Sequence, residues 1–185
     1  NAMTIDGSRT SAAGGSGPGR LGPVFIDGQR IIRTNQGGQV TTGTQLDGLP
    51  VTGSGADGTR LANLSIGGFQ RGSAIRIDGA SGVVVESMRV GLSPAGARVP
   101  NIRGITVTGV TARDNTILNS TVVGGTSAGI AVEGGAERTY IVGAAVGTPA
   151  IDNQIGIFVA EGSRDTFIGT NPILPAQPIT ASVRL

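Results

Sequence analysis

The chain has 185 residues, a length typical of one domain, and it contains no cysteine, histidine, lysine or tryptophan. These absences exclude disulfides, a cysteine nucleophile and in effect a structural zinc site, so we expect neither a metal nor a cofactor. The net charge is only +2, and the 14 basic residues, all arginine, are spread singly along the chain. Because nucleic-acid-binding proteins usually carry a clustered basic face and stacking aromatics, we expect no nucleic-acid partner.

Taken in chain order, the sequence divides into four parts. Residues 1–3 (Asn-Ala-Met) resemble the remnant of a cleaved expression tag, and residues 4–22 begin with a short strand around Ile5 and continue as a Gly/Ser-rich arm. The main domain is predicted to span residues 23–173, and the proline-containing residues 174–185 to form an extended tail. No apolar run is long enough to span a membrane, so we expect no membrane insertion.

From Ala74 onward, one phrase recurs four times. Each copy has a first apolar residue, a second one two positions later, and further apolar residues 10 to 12 positions after the first. The spacing of two is the alternation of a β-strand, and glycine or β-branched residues interrupt every candidate helix. The sequence therefore predicts short strands and almost no helix. The first apolar residues, which are 30, 25 and 27 residues apart, are Ile75, Ile105, Ile130 and Ile157. The later recurring positions are Ile77, Val107, Val132 and Val159; Val85, Ile117, Ile141 and Ile168; and Val90, Val122, Val123 and Val146.

Short strands in units of 25 to 30 residues with Gly-rich corners predict a solenoid. Stacked coils place the recurring isoleucines in an aliphatic ladder, where each buried side chain contributes about 1.5–3 kcal/mol. We therefore predict an all-β fold, a right-handed single-stranded parallel β-helix. A left-handed hexapeptide helix does not match the observed offsets. A β-sandwich stays open as an alternative, although it does not explain the recurring phrase.

A resemblance to known repeats runs through most of the chain. The sequence GPVFIDG at 22–28 is followed by LANLSIGGFQRGSAIRIDGASGVVVESMRVG at 61–91 and by GIAVEGGAERTYIVG at 129–143. This series resembles the right-handed parallel β-helix repeats of large secreted bacterial surface proteins, which have the pectate-lyase-like solenoid architecture. The resemblance implies an extracellular or cell-surface location and flanking domains in a longer chain. It implies little about activity, because such repeats serve enzymes and passive stalks alike.

The enzymes of this architecture need residue types that the chain lacks or does not cluster. Polysaccharide lyases use a base such as Lys, Arg, His or Tyr near a charge-neutralising group, and the Gly-His-Gly motif of polygalacturonase-like hydrolases requires histidine. Inverting hydrolysis requires two facing carboxylates about 6.5–9.5 Å apart. The sequence shows no acidic cluster of the kind that holds calcium in pectate lyases. We therefore assign no catalytic residue and favour a non-catalytic module.

The candidate ligand-binding residues come from equivalent positions in neighbouring units. Glu133 follows the second apolar residue of its unit, and Glu161 lies one place further on in the next unit. Arg138 and Arg164 follow at nearly equal offsets, so the four charges are candidates for a surface that binds a sugar or a cation. The simpler interpretation, which we favour, is a solvated turn with charge pairs worth less than about 1 kcal/mol.

A second candidate surface is the row of positions between the two apolar residues of each unit. In β-helix enzymes such an outward row lines the substrate groove. Phe158 belongs to this row, and an exposed aromatic ring there stacks on a sugar, although a lone surface apolar residue is the simpler interpretation. The row consists of Arg76, Thr106, Ala131 and Phe158.

Side chains at turns are predicted to have structural roles. Asp6, Asp27 and Asp78 occur in Ile-Asp-Gly sequences, where the carboxylate is expected to cap backbone amides and the glycine to take positive φ. Asn115, Asn119 and Asn153 are expected to form partial side-chain ladders inside corners of the coils. None of these residues is assigned to a ligand.

The sequence thus predicts a structural or adhesive module. It is a rigid rod that spaces or displays the flanking domains of an exported protein and contacts a polysaccharide or cell-surface glycan weakly along one sheet. The alternatives are a carbohydrate-active β-helix enzyme (a polysaccharide lyase or glycoside hydrolase) or the remnant of one, and a trimeric phage-like spike.

Overall fold

The structure, a computed structural model, describes residues 2–7, 24–30, 32–34, 40–42 and 46–169. The Gly/Ser-rich run at 11–19 and the predicted tail at 174–185 lie outside the described residues.

Short strands make up nearly all of the regular structure. The described residues also include two 3-10 helices, at Gly28–Arg30 and Ser54–Ala56. None of the helices in the described part of the chain has the length and apolarity to cross a membrane. The strands are β1 (Thr4–Asp6), β2 (Phe25–Asp27), β3 (Ile32–Thr34), β4 (Val40–Thr42), β5 (Leu49–Thr52), β6 (Arg60–Ala62), β7 (Ser65–Gly67), β8 (Ser73–Asp78), β9 (Val84–Glu86), β10 (Arg89–Val90), β11 (Asn101–Thr108), β12 (Thr116–Leu118), β13 (Thr121–Val122), β14 (Gly125–Glu133), β15 (Tyr140–Val142), β16 (Ala145–Val146), β17 (Ile157–Val159) and β18 (Phe167–Gly169).

Three parallel sheets run along the axis of the molecule. Sheet 1 has the order β1-β6-β9-β12-β15-β18, sheet 2 the order β2-β7-β10-β13-β16, and sheet 3 the order β5-β8-β11-β14-β17. The chain visits the sheets in turn, so neighbouring strands of a sheet belong to successive coils of about 27 residues. Strands β3 and β4 form a separate antiparallel hairpin between β2 and β5. The fold is a parallel β-helix, which confirms the predicted fold class.

The predicted aliphatic ladders are confirmed by the strand register. In sheet 3, Ile105 lies opposite Ile75 on one side and Ile130 on the other, and Ile130 lies opposite Ile157. The second set of recurring residues forms the inner row of sheet 1, and the third forms that of sheet 2. The structure adds an earlier coil whose register the sequence did not predict, with Leu49 opposite Ile75. Up to the coil of Ile130 these rows form one aliphatic core along the axis, whereas Val159 and Ile168 of the last described coil are exposed, contrary to the expected burial.

The predicted turn roles are confirmed only in part, and neither Gly7 nor Gly28 has the expected positive φ. The Asp27 Oδ1 accepts a hydrogen bond from the Gln29 amide at 3.0 Å, which is the expected cap. Gly79 has the expected positive φ of 69°. The Asp78 carboxylate, however, accepts a hydrogen bond from the Arg76 Nη2 at 3.1 Å in place of a backbone amide. The Arg76 guanidinium lies two residues earlier on the same face of the strand and therefore occupies the Asp78 carboxylate.

Two of the three asparagines join successive coils through backbone groups and not through a side-chain ladder, whereas Asn119 is exposed. The Asn115 Oδ1 accepts a hydrogen bond from the Val83 amide at 2.9 Å, and its Nδ2 donates to the Ala80 carbonyl at 3.0 Å. The Asn153 Oδ1 likewise accepts from the Gly125 amide at 2.8 Å, and its Nδ2 donates to a carbonyl of β13 at 2.9 Å. Asn115 and Asn153 therefore each satisfy backbone groups that have no partner in the hydrogen-bond ladders of the sheets.

Candidate functional site

The predicted acidic pair does not form a shared site in the described residues. Glu133 ends β14 on the outer face of sheet 3, where its Oε1 accepts a hydrogen bond from the Arg103 Nη1 at 2.5 Å. The register of β14 and β17 places Ala160 beside Glu133, so Glu161 lies one position beyond, in an exposed turn. Glu133 is thus directed toward the preceding coil and away from Glu161.

The two predicted arginines lie on successive coils at the corner before sheet 1, with different surroundings. The Arg138 Nε and Nη2 donate to the two Asp114 carboxylate oxygens at 2.6 and 2.8 Å. This hydrogen bonding lowers the pKa of Asp114 and raises the pKa of Arg138. Arg164 is bridged through its backbone to Glu137, which in turn is bridged to Arg113. The charge at this corner therefore alternates from coil to coil, whereas an ion-binding surface would gather charges of one sign.

The outward row of sheet 3 is in register as predicted, but its middle is covered. Thr106 and Ala131 are fully buried, whereas Phe158 is 39% exposed at the last described coil. The predicted open groove along this row is therefore wrong for its two central positions. The row in question is Arg76, Thr106, Ala131 and Phe158.

The ion pair between Arg103 and Glu133 explains this burial. Arg103 precedes Thr106 by three residues on β11, and Glu133 follows Ala131 by two on the neighbouring β14. A side-chain bridge that joins these two residues has to cross the row between them. The Arg103–Glu133 pair therefore lies over Thr106 and Ala131 and removes them from solvent.

An open cavity lies beside this bridge, where the strands of sheet 3 begin. Its volume is about 350 Å³, within the range of small-ligand pockets. Its walls combine guanidinium groups, serine hydroxyls and one apolar side chain. The lining residues are Asp47, Arg71, Gly72, Ser73, Arg76, Ile102, Arg103 and Ser127.

The floor of the cavity is held by short contacts between two chain segments. The Ser73 amide donates to the Asp47 Oδ1 at 2.7 Å, and the Gly48 amide donates to the Ser73 carbonyl at 2.9 Å. The Ser73 and Thr106 hydroxyls are 2.8 Å apart and share a hydrogen bond. A Cβ on Gly72 would lie 2.9 Å from the Asp47 nitrogen, so only glycine allows this approach. The Asp47 carboxylate is consequently fixed at the cavity.

The three arginines of the cavity differ in their partners. The Arg76 Nη2 lies 3.1 Å from the Asp78 Oδ2, and its Nε lies 3.9 Å from the Asp47 Oδ2. Arg103 is bound by Glu133, as described above. Arg71 is exposed and forms no ion pair with any residue in the described part of the chain. Chemically, the site offers fixed donors for an oxyanion. Over the same described ranges, no group of three or more Asp or Glu residues is placed to hold a metal ion.

Sequence reasoning missed this cavity, although a signal existed. An Arg-Gly pair precedes the first apolar residue in two successive units, at Arg71-Gly72 and at Arg103-Gly104. Such a recurrence predicts arginines near one another at the start of one sheet. The position of Asp47 could not be found in this way, because it precedes β5 in a segment whose register the pattern did not give.

No protein-family model, no curated protein and no solved structure matches the chain. What the fold defines is a class, the parallel β-helix module, and the functional argument rests on the residues described above.

Proposed function

We propose that the chain is a non-catalytic structural and adhesive module of an exported surface protein, a rigid rod that spaces or displays flanking domains and contacts a surface glycan. The observation that carries this proposal is the unbroken register of the aliphatic ladders from coil to coil. The exported, surface-located part of the proposal comes from the resemblance of the repeats to those of secreted bacterial surface proteins.

The geometry of stacked coils supports a spacer. Sheet 1 contains six strands, and parallel strands lie about 4.8 Å apart, so the stack is about 24 Å long. Backbone hydrogen bonds, the Asn115 and Asn153 bridges and the Arg138–Asp114 pair all join one coil to the next. A chain whose coils are joined in this way along its axis resists bending.

The carboxylates support a non-catalytic role. General acid–base catalysis requires a carboxyl group that is free to exchange a proton with a substrate. Glu133 is already bound by Arg103, and Asp78 by Arg76. Glu161 is exposed in a turn, without a second carboxylate beside it in the strand register.

Catalysis is tested by incubating the chain with a panel of neutral and acidic polysaccharides. We expect no shortening of the polymers and no ultraviolet absorbance from unsaturated products. Turnover that disappears in a Glu133→Gln variant would reject the non-catalytic proposal and establish the enzyme alternative. A trimer in light scattering would instead favour the spike.

Rigidity is tested with a pair of spin labels. The chain has no cysteine, so Gly55→Cys in the first full coil and Glu161→Cys in the last provide two unique sites. Gly55 has open space around its Cα and Glu161 is exposed, so both labels fit without repacking. We expect one narrow distance distribution between the labels. A broad distribution would contradict the rigid rod.

A further inference from the structure

We propose that the cavity at the start of sheet 3 binds the oxyanion of an acidic saccharide, with Arg71 as its anchoring residue. The proposal rests on the adhesive part of the function proposed above and names its site and its ligand class. The spacer role does not depend on it.

The charges at the cavity favour an anion. Its lining contains three guanidinium groups and one carboxylate, but Asp78 and Glu133 offset the charges of two of them, so the charge that attracts an anion is that of Arg71. A guanidinium carries five N–H donors, and Arg103 uses one of them on Glu133, which leaves donors for a ligand. Arg71 has no ion-pair partner among the described residues, and its planar fork matches the two oxygens of a carboxylate. An incoming oxyanion therefore meets a free guanidinium with two anchored ones beside it.

The remaining lining groups favour a sugar over a bare ion. The Ser127 hydroxyl and the Asp47 carboxylate are suited to bond with ligand hydroxyl groups. Ile102, which is 36% exposed, supplies an apolar wall for the C–H face of a ring. A cavity of about 350 Å³ accommodates a single sugar residue together with its charged group.

The site is organised before a ligand arrives. Glu133 holds Arg103, Asp78 holds Arg76, and the Ser73 amide holds Asp47. Binding therefore orders mainly the Arg71 side chain, which lowers the entropic cost of association. The same acidic partners reduce the attraction of Arg76 and Arg103 for anions that do not match the shape of the cavity.

The test is isothermal calorimetry on the full chain with three probes: a uronic-acid oligosaccharide, its neutral counterpart and inorganic phosphate. The uronic-acid probe should bind, more weakly as salt is added, and Arg71→Ala should weaken its binding about tenfold or more. Arg71→Lys, which keeps the charge but loses the fork, should weaken it by an intermediate factor. The matched control is Arg164→Ala, because Arg164 is also an exposed arginine but lies at a different corner; its affinity should stay within about twofold of wild type.

Each other outcome overturns a stated part of the inference. If Arg71→Ala binds the uronic-acid probe like wild type, or Arg164→Ala weakens it equally, the cavity is not the site, although the adhesive role survives. Equal affinity for the neutral counterpart rejects the oxyanion, and equal affinity for phosphate rejects the saccharide. Failure of every glycan to bind rejects the adhesive role itself. Circular dichroism of Arg71→Ala checks the fold, which should be unchanged because Arg71 has no ion pair in the described part of the chain.

Discussion

Replacing Asn115 by alanine should destabilise the β-helix more than any surface change. The side chain is fully buried, and its amide bonds both the Val83 amide and the Ala80 carbonyl of the preceding coil. Alanine leaves these two backbone groups buried without partners. An unsatisfied buried group costs about 1–3 kcal/mol, so we expect the free energy of unfolding to fall by about 2–4 kcal/mol after partial relaxation.

The next coil provides a matched control at the same position. The register of Thr116 with Tyr140 places Thr139 beside Asn115, and the Thr139 Oγ1 is buried without a hydrogen-bond partner among the described residues. Thr139→Val keeps the shape and removes this unpaired hydroxyl. It should therefore leave stability unchanged or raise it by about 1 kcal/mol.

Chemical denaturation followed by far-ultraviolet circular dichroism suits this comparison, because the chain has no tryptophan and one tyrosine. The reasoning is refuted if Asn115→Ala costs less than about 1 kcal/mol, or if Thr139→Val costs as much as Asn115→Ala. Either result would mean that burial at this corner, and not the two hydrogen bonds, holds the coils together.

Two further changes test the corners. Gly91→Ala should lower the free energy of unfolding by at least about 2 kcal/mol, because Gly91 has φ of 82° and an added Cβ would overlap the Val123 carbonyl oxygen. The control is Gly55→Ala, where the space is open and stability should change by less than about 0.5 kcal/mol. Equal costs for the two variants in denaturation would contradict this account. Asp114→Asn should lower stability slightly at neutral pH, because hydrogen bonding by Arg138 holds the pKa of Asp114 below its usual 3.8. That pair stabilises the folded state above the unfolded pKa and loses its effect as pH falls through the lower folded pKa, so the wild-type and Asp114→Asn thermal midpoints should converge below about pH 4 and stay apart above it.

The inner rows of the solenoid were predictable from the sequence, because burial imposes a strict spacing on them. Ile105 and Val107 lie on one strand and must both face the core, and the same constraint repeats from coil to coil. The earliest coil escaped this reasoning. Its strands β1, β2 and β5 are separated by long segments, including the one that carries the β3–β4 hairpin, so no period connects Leu49 to Ile75 before the structure is known.

The charged side chains were harder to place, because their partners are set by stacking and not by local sequence. Arg103 bonds Glu133 across 30 residues, whereas Arg138 bonds Asp114 across 24. The separations differ because Arg138 lies almost opposite Asp114, whereas Glu133 lies five residues beyond Ala128, the residue opposite Arg103. A pattern that aligns the core rows does not fix the partners of the outer charges: Arg138 lies 2.6 Å from Asp114 on the preceding coil and 3.8 Å from its chain neighbour Glu137.

This difference between inner and outer rows relocates the candidate binding surface. An alternating strand pattern exposes every second residue, and it therefore predicted an open row through Thr106 and Ala131. Long side chains from the flanking rows reach across short ones, and the Arg103–Glu133 pair does so here. An open surface lies instead at the start of sheet 3, where Gly72 lets the Asp47 segment approach and where Arg71 forms no ion pair with the described residues. The two-residue alternation of a strand decides which side chains point outward. The lengths and charges of the neighbouring side chains then decide which of them a ligand can reach.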